Sequence, residues 1–164
     1  MSAGSNDPAA TVSRDLNLLA PAFRAAVEAA IAECQARGLD AYVYEAYRSP
    51  ELQAIYYARG RTVVPPTQPV TYAATNLQSW HGYGLAVDVI SRAHEWNRPE
   101  SWFAEVAEIF GRHDCRWGGE WKQKDLPHFQ WGACQPSPSD AARQLIAVGG
   151  LPLVWKEIGA ATSV

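Results

Sequence analysis

The chain has 164 residues, a mass of 18.0 kDa, 48% hydrophobic residues and a formal net charge of −3 at pH 7. This length predicts one domain with a sizeable core. The mildly acidic balance, without long runs of one sign, excludes a general attraction to nucleic acid or to anionic membranes. No run of about 18 apolar residues is present, so we expect no membrane-spanning helix.

The cysteine pattern and the first thirty residues bear on the cellular compartment. The chain has three cysteines, Cys34, Cys115 and Cys134. Their odd number and the lack of a C-x-x-C pair argue against a disulfide framework and favour a reducing compartment. Charged residues such as Asp7, Arg14 and Asp15 interrupt the N-terminal segment, so a secretory signal is not expected.

The first half of the chain predicts two helices and a strand. Residues 1–12 are small and polar and are expected to be flexible. Residues 13–37 carry apolar side chains at helical spacing, with Pro21 as a candidate kink and Gly38 as the stop. Residues 40–47 are aromatic and β-branched, which favours a strand. Ser49-Pro50 then opens a helix that runs to Arg59, because serine caps and proline fits the first turn.

The second half alternates a long loop with short elements. Residues 60–78 contain three prolines and predict a loop that holds a candidate edge strand and forms a wall of a cleft. Strands are predicted at 85–90 and 128–131, helices at 99–113, 140–148 and 151–160, and a turn at Gly118-Gly119. The expected fold class is α+β, with a small, mostly antiparallel sheet flanked by helices.

Two short segments concentrate the residues that metal chemistry requires. Ser79-Trp80-His81-Gly82-Tyr83-Gly84-Leu85-Ala86-Val87-Asp88 is followed forty residues later by Asp125-Leu126-Pro127-His128-Phe129. His81, Asp88 and His128 together provide two neutral nitrogens and one hard oxygen, a set suited to a catalytic zinc with an open fourth position. A cysteine ligand from Cys115 or Cys134 is the weaker alternative, because thiolate sites normally use clustered cysteines.

Two further side chains suit a hydrolytic reaction at such a metal. Asp125, three residues before His128, is a candidate general base, since a fourth protein ligand would leave no position for water. Arg48, at the end of the first strand, is a candidate for stabilising an oxyanion or holding a substrate carboxylate. Asp125 as a turn residue and Arg48 as a salt-bridge residue remain the structural alternatives. Asp88 in an apolar strand needs a strong partner, either a metal or Arg48.

At this point the sequence resembles a known family. Residues 79–88 match the S-x-H-x-x-G-x-A-x-D signature of the zinc D-alanyl-D-alanine peptidases at every specified position, a group that includes VanY-like carboxypeptidases and phage endolysins that are L-alanyl-D-glutamate endopeptidases. Residues 125–129 resemble the second motif of the family. Tyr47-Arg48-Ser49 with Gln53 resembles its upstream arginine motif, and residues 117–121 resemble the segment before the base.

The resemblance implies a role for each matching residue and the hedgehog-like fold that the family shares. It implies one Zn²⁺ per chain on His81, Asp88 and His128, with Asp125 as base and Arg48 as a stabilising residue. Glu120 is a weaker candidate for the base. The expected substrate contacts come from four residues: Ser79, Gln53, Trp80 and Trp121. The resemblance covers about residues 40–132 of an expected catalytic domain of residues 13–136. We expect the helices of residues 137–164 to pack on this domain, and contact with the wall is the alternative.

The implied function is hydrolysis of the L-Ala–D-Glu bond in peptidoglycan stem peptides by an endolysin-type enzyme. A D-Ala-D-Ala carboxypeptidase acting on the same stems and a non-catalytic, zinc-containing wall-binding module are the alternatives. The expected partner is the stem peptide, with no nucleic acid and no stable membrane insertion, and the enzyme is expected to be monomeric. An endolysin would wait in the host cytoplasm and reach the periplasm and wall after a holin opens the membrane.

Overall fold

A computed structural model describes residues 10–162 of the chain. Within this range four strands and four helices follow in mixed order: α1 (Pro21–Ala36), β1 (Ala41–Glu45), α2 (Pro50–Ala58), β2 (Ala86–Ser91), α3 (Glu100–Gly111), β3 (Cys115–Trp117), β4 (His128–Trp131) and α4 (Asp140–Glu157). The predicted flexible segment, residues 1–12, falls mostly on residues 1–9, which lie outside the described residues.

The four strands form one antiparallel sheet in the order β1-β2-β4-β3, which confirms the predicted α+β class. Alternation along β2 explains its two faces. Val87 and Val89 are completely buried in the core, against α1 and α3, while Asp88 between them points to the opposite face. Helices α1 and α3 contribute to this core on one face of the sheet, and the face that carries Asp88 remains available for a site.

A bulge in β1 adds a second carboxylate to the face of Asp88. Val43 pairs with Val89, but Glu45, two residues later, pairs with Asp88, the next residue back along β2. Tyr44 is therefore an extra residue, and a bulge of this kind shifts the alternation of the strand by one position. Because directly opposed residues share a face, Glu45 lies beside Asp88.

Three elements differ from the sequence predictions for identifiable reasons. Helix α1 begins at Pro21, not at residue 13, because Ala20 before the proline is extended (ψ 137°) and residues 16–18 form a separate 3₁₀ turn. The prediction of an edge strand in residues 60–78 was wrong, because these residues form turns and a 3₁₀ helix at Asn76–Gln78. Strand β3 was not predicted, since three residues are too short for an alternating pattern.

The C-terminal helices are separated by a backbone break and pack on the rest of the protein. Gly150 has φ 70° and ψ −166°, which is not helical, so α4 consists of two helical pieces. This agrees with the two helices predicted from the sequence. The indole Nε1–H of Trp155 donates to the Tyr83 carbonyl at 2.7 Å, and that of Trp131 donates to the Ile158 carbonyl at 3.0 Å. Among residues 10–162, no helix combines the length and the apolar character that crossing a bilayer requires.

Candidate metal centre and catalytic cleft

His81 lies in a short 3₁₀ helix, Trp80–Tyr83, directly before β2. Ser79 caps this helix, because its Oγ accepts a hydrogen bond from the His81 N–H at 3.3 Å, and Gly84 ends it with φ 67°, which glycine adopts without strain. His81 Nδ1 lies 2.9 Å from the Ala46 carbonyl oxygen. Since a carbonyl only accepts, the proton is on Nδ1, and Nε2 is left with a free lone pair.

His128 is oriented by a second hydrogen-bond chain. The Gln130 amide nitrogen donates to the carbonyls of Cys134 (3.5 Å) and Gln135 (2.8 Å), so its oxygen must face His128. His128 Nε2 lies 2.8 Å from that oxygen and is therefore the protonated nitrogen. Nδ1 is left with a free lone pair directed at Asp88. Partners of this kind fix the tautomer of metal-ligating histidines.

These two free nitrogens converge with the Asp88 carboxylate. His81 Nε2 lies 3.4 Å and His128 Nδ1 lies 3.9 Å from Asp88 Oδ1, and all three donor atoms are within 4.8 Å of one another. Ligands of a tetrahedral zinc ion are separated by about 3.3 Å, given metal–ligand distances near 2.0–2.1 Å. The donor set therefore fits a zinc ion after a small contraction, with room for a fourth ligand.

The protonation states also suit a cation. Burial, assisted by the neighbouring His81, lowers the pKa of His128 to about 4, which keeps its imidazole neutral. Burial alone would raise the pKa of Asp88, but the adjacent His81, Arg48 and His128 hold it well below its usual range. An ionised carboxylate with a neutral imidazole is the state that binds a divalent metal.

Asp125 lies beside this centre but remains accessible. Its Oδ2 is 3.9 Å from His128 Nδ1, and its side chain is 51% exposed on the cleft. Desolvation by the surrounding walls and the charge of Asp88 raise the pKa of Asp125 to about 6. A carboxyl group with this pKa accepts a proton more readily than an ordinary aspartate does. Glu120, the weaker candidate, is exposed and does not line the cleft.

Gly118 explains why a glycine-rich segment precedes Asp125. A Cβ on Gly118 would lie 2.6 Å from the Asp125 carbonyl oxygen and 3.1 Å from the His128 Cβ. The Asp125 N–H donates to the Gly118 carbonyl at 2.9 Å, and the Trp117 indole N–H donates to the Leu126 carbonyl at 2.7 Å. The turn that carries Asp125 is thus held against the end of β3.

Arg48 belongs to a buried ionic network. Its Nε and Nη2 donate to Glu45 Oε1 at 3.2 and 2.5 Å, and Nη2 lies 3.9 Å from Asp88 Oδ2. Tyr56 packs its ring 4.7 Å from the guanidinium and donates its hydroxyl to Glu45 at 3.1 Å. Arg48 is 8% exposed and lines the cleft, so its charge reaches the site from one wall.

Gln53, predicted to contact substrate, is completely buried and is not among the cleft-lining residues. Its Oε1 accepts from Arg48 Nη1 at 3.0 Å, and its Nε2 donates to the Ala73 carbonyl at 2.7 Å. The predicted substrate contact at Gln53 is therefore replaced by a supporting role, in which the amide holds Arg48 and ties α2 to the cleft wall.

The three other predicted substrate contacts all line a cleft of about 1180 Å³ above the cluster of His81, Asp88 and His128. Ser79 is part-buried through its capping bond. Trp80 is 6% exposed and donates its indole N–H to the Gln135 carbonyl at 2.6 Å, so most of its ring is structural. Trp121 presents its ring 4.8 Å from the His128 ring. Residues 69–73 form one wall, as the sequence predicted for the long loop.

Sequence reasoning missed Glu45 and Gln130. Gln130 follows His128 by two positions on a strand, and this spacing places both side chains on one face of the sheet. The sequence alone could therefore have indicated that Gln130 lies beside His128. The position of Glu45 on the face of Asp88 could not be predicted in this way, because it depends on the bulge at Tyr44. The three cysteines are buried with free thiols, and none joins the metal-binding cluster among the described residues.

The chain is similar in sequence to known peptidases. The sequence profile of the D-alanyl-D-alanine carboxypeptidase family matches residues 73–131. The peptidoglycan L-alanyl-D-glutamate endopeptidase CwlK of Bacillus subtilis (strain 168) is 33% identical in an alignment of 125 positions that covers 68% of this chain and 72% of that protein.

Two solved structures align with the chain, and the first of them shares its fold. The vancomycin-resistance D,D-pentapeptidase VanY from a VanB-type cassette, in complex with Zn(II), aligns with a TM-score of 0.52 and 17% identity over 83% of this chain and 80% of that chain. The L-Ala D-Glu endopeptidase ChiX of Serratia marcescens aligns with a TM-score of 0.49 and 26% identity over 80% of this chain and 88% of that chain.

Proposed function

Because this chain belongs to the D-alanyl-D-alanine carboxypeptidase family of peptidases, we propose that it is a zinc-dependent peptidase that hydrolyses the L-Ala–D-Glu bond of peptidoglycan stem peptides. The observation that carries the proposal is the convergence of His81, Asp88 and His128 below an open cleft, with Asp125 beside them. The named activity of CwlK, the curated relative at 33% identity, supports the choice of bond.

His81 Nε2, Asp88 Oδ1 and His128 Nδ1 would hold one zinc ion per chain, because these atoms are free of other donors and their protonation suits a cation. When bound, zinc polarises the scissile carbonyl and lowers the pKa of an attacking water toward neutrality. The Ala46 carbonyl and the Gln130 amide keep the two rings in the required tautomer.

Asp125 would act as the general base and then as the general acid. Its carboxylate takes a proton from the water that attacks the L-Ala carbonyl carbon, and it returns that proton to the amine of D-Glu as the C–N bond breaks. Arg48 would stabilise the negative charge that develops on the carbonyl oxygen, from a position fixed by Glu45 and Gln53. Both roles depend on pre-organised charge, which acts most strongly in a desolvated cleft.

A second candidate is a D-Ala-D-Ala carboxypeptidase, which the description of the matching family profile favours. Digestion of a defined disaccharide–pentapeptide by the zinc-loaded enzyme, followed by mass spectrometry, separates the two. A new N-terminal D-glutamate supports the endopeptidase, whereas release of free D-alanine with the L-Ala–D-Glu bond intact would replace it by the carboxypeptidase.

A non-catalytic wall-binding module is the third alternative. Asp125 argues against it, because a purely structural zinc site requires no accessible carboxylate of raised pKa. In the same digestion, zinc-loaded protein that binds insoluble peptidoglycan but releases no fragment would establish the binding module.

We further propose an endolysin-type role for a monomeric enzyme whose catalytic domain, residues 13–136, carries the helices of residues 137–164 packed on it. Expression in a bacterial host together with a membrane-opening protein is expected to lyse the cells, and expression of the Asp125→Ala variant is not. Lysis by both forms would exclude this role. Light scattering tests the monomeric state.

A further inference from the structure

An exposed aromatic surface continues from the cleft along the edge of the sheet. Trp96 is 47% exposed, and its ring packs edge-on against Tyr44 with centroids 4.7 Å apart. Both residues line the cleft. Arg14 places its guanidinium 4.9 Å from the Tyr44 ring and 5.9 Å from the Tyr42 ring, and Arg92 covers Tyr42 at 4.6 Å. We call these five residues the edge ladder.

The loop that presents Trp96 is tightly built. Ser91 and Glu95 exchange two backbone hydrogen bonds of 3.1 and 2.8 Å, and Asp40 accepts from the Ser91 hydroxyl at 2.6 Å and from the Ala93 N–H at 2.9 Å. Glu95 adopts φ 53°, a conformation that disfavours residues with a Cβ. A fixed and locally strained loop that leaves an indole half exposed at the mouth of a cleft indicates a binding surface.

The chemistry of the edge ladder suits a saccharide. A sugar ring offers a face of C–H groups that packs on an aromatic ring, while its hydroxyl groups stay hydrated or accept hydrogen bonds from guanidinium groups. The half-exposed indole of Trp96 therefore offers a stacking position for one sugar ring, and the guanidinium groups of Arg14 and Arg92, which pack on Tyr44 and Tyr42, lie alongside as hydrogen-bond donors. The Arg14 Nε–H donates to the Tyr44 carbonyl at 2.9 Å, so this part of the surface is fixed before any ligand arrives.

We propose that the edge ladder binds the glycan strand of peptidoglycan and that Trp96 holds the sugar which carries the stem peptide being cut. This inference rests on the proposed function and deepens it. Tyr44 directly precedes Glu45, which pairs with Asp88 across the sheet. With strands about 5 Å apart, the ladder begins roughly 10–15 Å from the metal-binding atoms.

That separation distinguishes the two candidate bonds. L-Ala is the first residue of the stem and is joined to the sugar through a lactyl group, so the L-Ala–D-Glu bond lies within about 10 Å of the sugar at about 3.5 Å per extended residue. The D-Ala-D-Ala bond lies three residues further, or about 10 Å more. A sugar on Trp96 is thus closer to the separation expected for cleavage beside L-Ala than to the separation expected for cleavage at the stem terminus by an extended peptide.

The kinetic test compares a disaccharide-linked stem peptide with the same peptide without sugar. The wild-type enzyme is expected to prefer the linked substrate by about 10-fold in kcat/KM, through KM, a typical contribution of one aromatic contact. Trp96→Ala is expected to abolish the preference while leaving cleavage of the free peptide unchanged, and Trp96→Phe to retain most of it. Tyr72→Ala is the matched control, because Tyr72 is another exposed aromatic residue of the cleft.

Equal cleavage of both substrates by the wild type would overturn the proposal, and so would loss of the preference in Tyr72→Ala but not in Trp96→Ala. A binding measurement remains decisive if neither substrate is cut and the proposed function fails. Titration with β-1,4-linked N-acetylglucosamine oligomers is expected to shift the Trp96 indole N–H resonance, assigned by its absence in Trp96→Phe. An unchanged Trp96 resonance at saturating oligomer would exclude a saccharide surface here.

Discussion

The side-chain amide of Gln130 accepts a hydrogen bond from His128 Nε2 at 2.8 Å and thereby determines which nitrogen of His128 faces Asp88. The amide is itself oriented by two backbone carbonyls on the segment after β4. One buried glutamine thus connects the chain beyond the sheet to the proposed metal centre.

We expect Gln130→Leu to lower zinc affinity by about 10- to 100-fold, the usual effect of removing a hydrogen-bond partner of a ligating histidine. Competition with a chromophoric chelator measures the zinc dissociation constant. Gln123→Leu is the matched control, because Gln123 is an exposed amide that lines the cleft. Equal zinc affinity in both variants would show that the Gln130 amide has no part in metal binding.

Glu45→Gln tests the buried network around Arg48. Removing the negative charge leaves the guanidinium without its nearest partner in a buried position, so we predict that the free energy of unfolding falls by about 3 kcal/mol. Urea denaturation of the zinc-free protein measures this change. Glu28→Gln removes the same charge from the exposed Arg24–Glu28 pair and should cost less than about 0.5 kcal/mol. Similar values for the two variants would contradict the prediction.

The pH dependence of catalysis reports on Asp125. The base works only when it is ionised, so activity is lost as the pH falls through its folded-state pKa, which is raised to about 6. A bound cation favours the ionised form, and the acid limb of kcat/KM at saturating zinc is therefore expected at about pH 6 or below. An acid limb above about pH 7 would assign the titration to another group.

Trp155→Phe tests whether the C-terminal helices are part of the catalytic domain. The substitution removes the hydrogen bond to the Tyr83 carbonyl, beside the helix of His81, and should lower the free energy of unfolding by about 1 kcal/mol. Trp96→Phe, at an exposed position, should leave stability unchanged. A single unfolding transition in which only Trp155→Phe shifts the midpoint supports one domain, and two separate transitions would contradict it.

Much of the site was predictable because its chemistry is local in sequence. The spacing of His81 and Asp88 and that of Asp125 and His128 specify residue types that few structural roles require together. The α+β class followed from the mixture of predicted helices and short strands along the chain.

The remaining features depend on tertiary structure. The burial of Gln53 follows from the position of α2 against residues 71–73, which no local pattern encodes. The orientation of Glu45 follows from a bulge that only the pairing with β2 defines. Pro21 marks the start of α1. The helical spacing of apolar residues continues before this proline, and for that reason the helix was predicted to begin too early.

Zinc content provides the most direct test of the proposed metal centre. Protein equilibrated with Zn²⁺ and freed of excess metal by gel filtration is expected to contain about one zinc per chain by mass spectrometry. His128→Ala should reduce this to background, while His94→Ala, at an exposed histidine outside the cluster, should keep the wild-type value. Wild-type zinc content in His128→Ala would contradict the assignment of the metal to His81, Asp88 and His128.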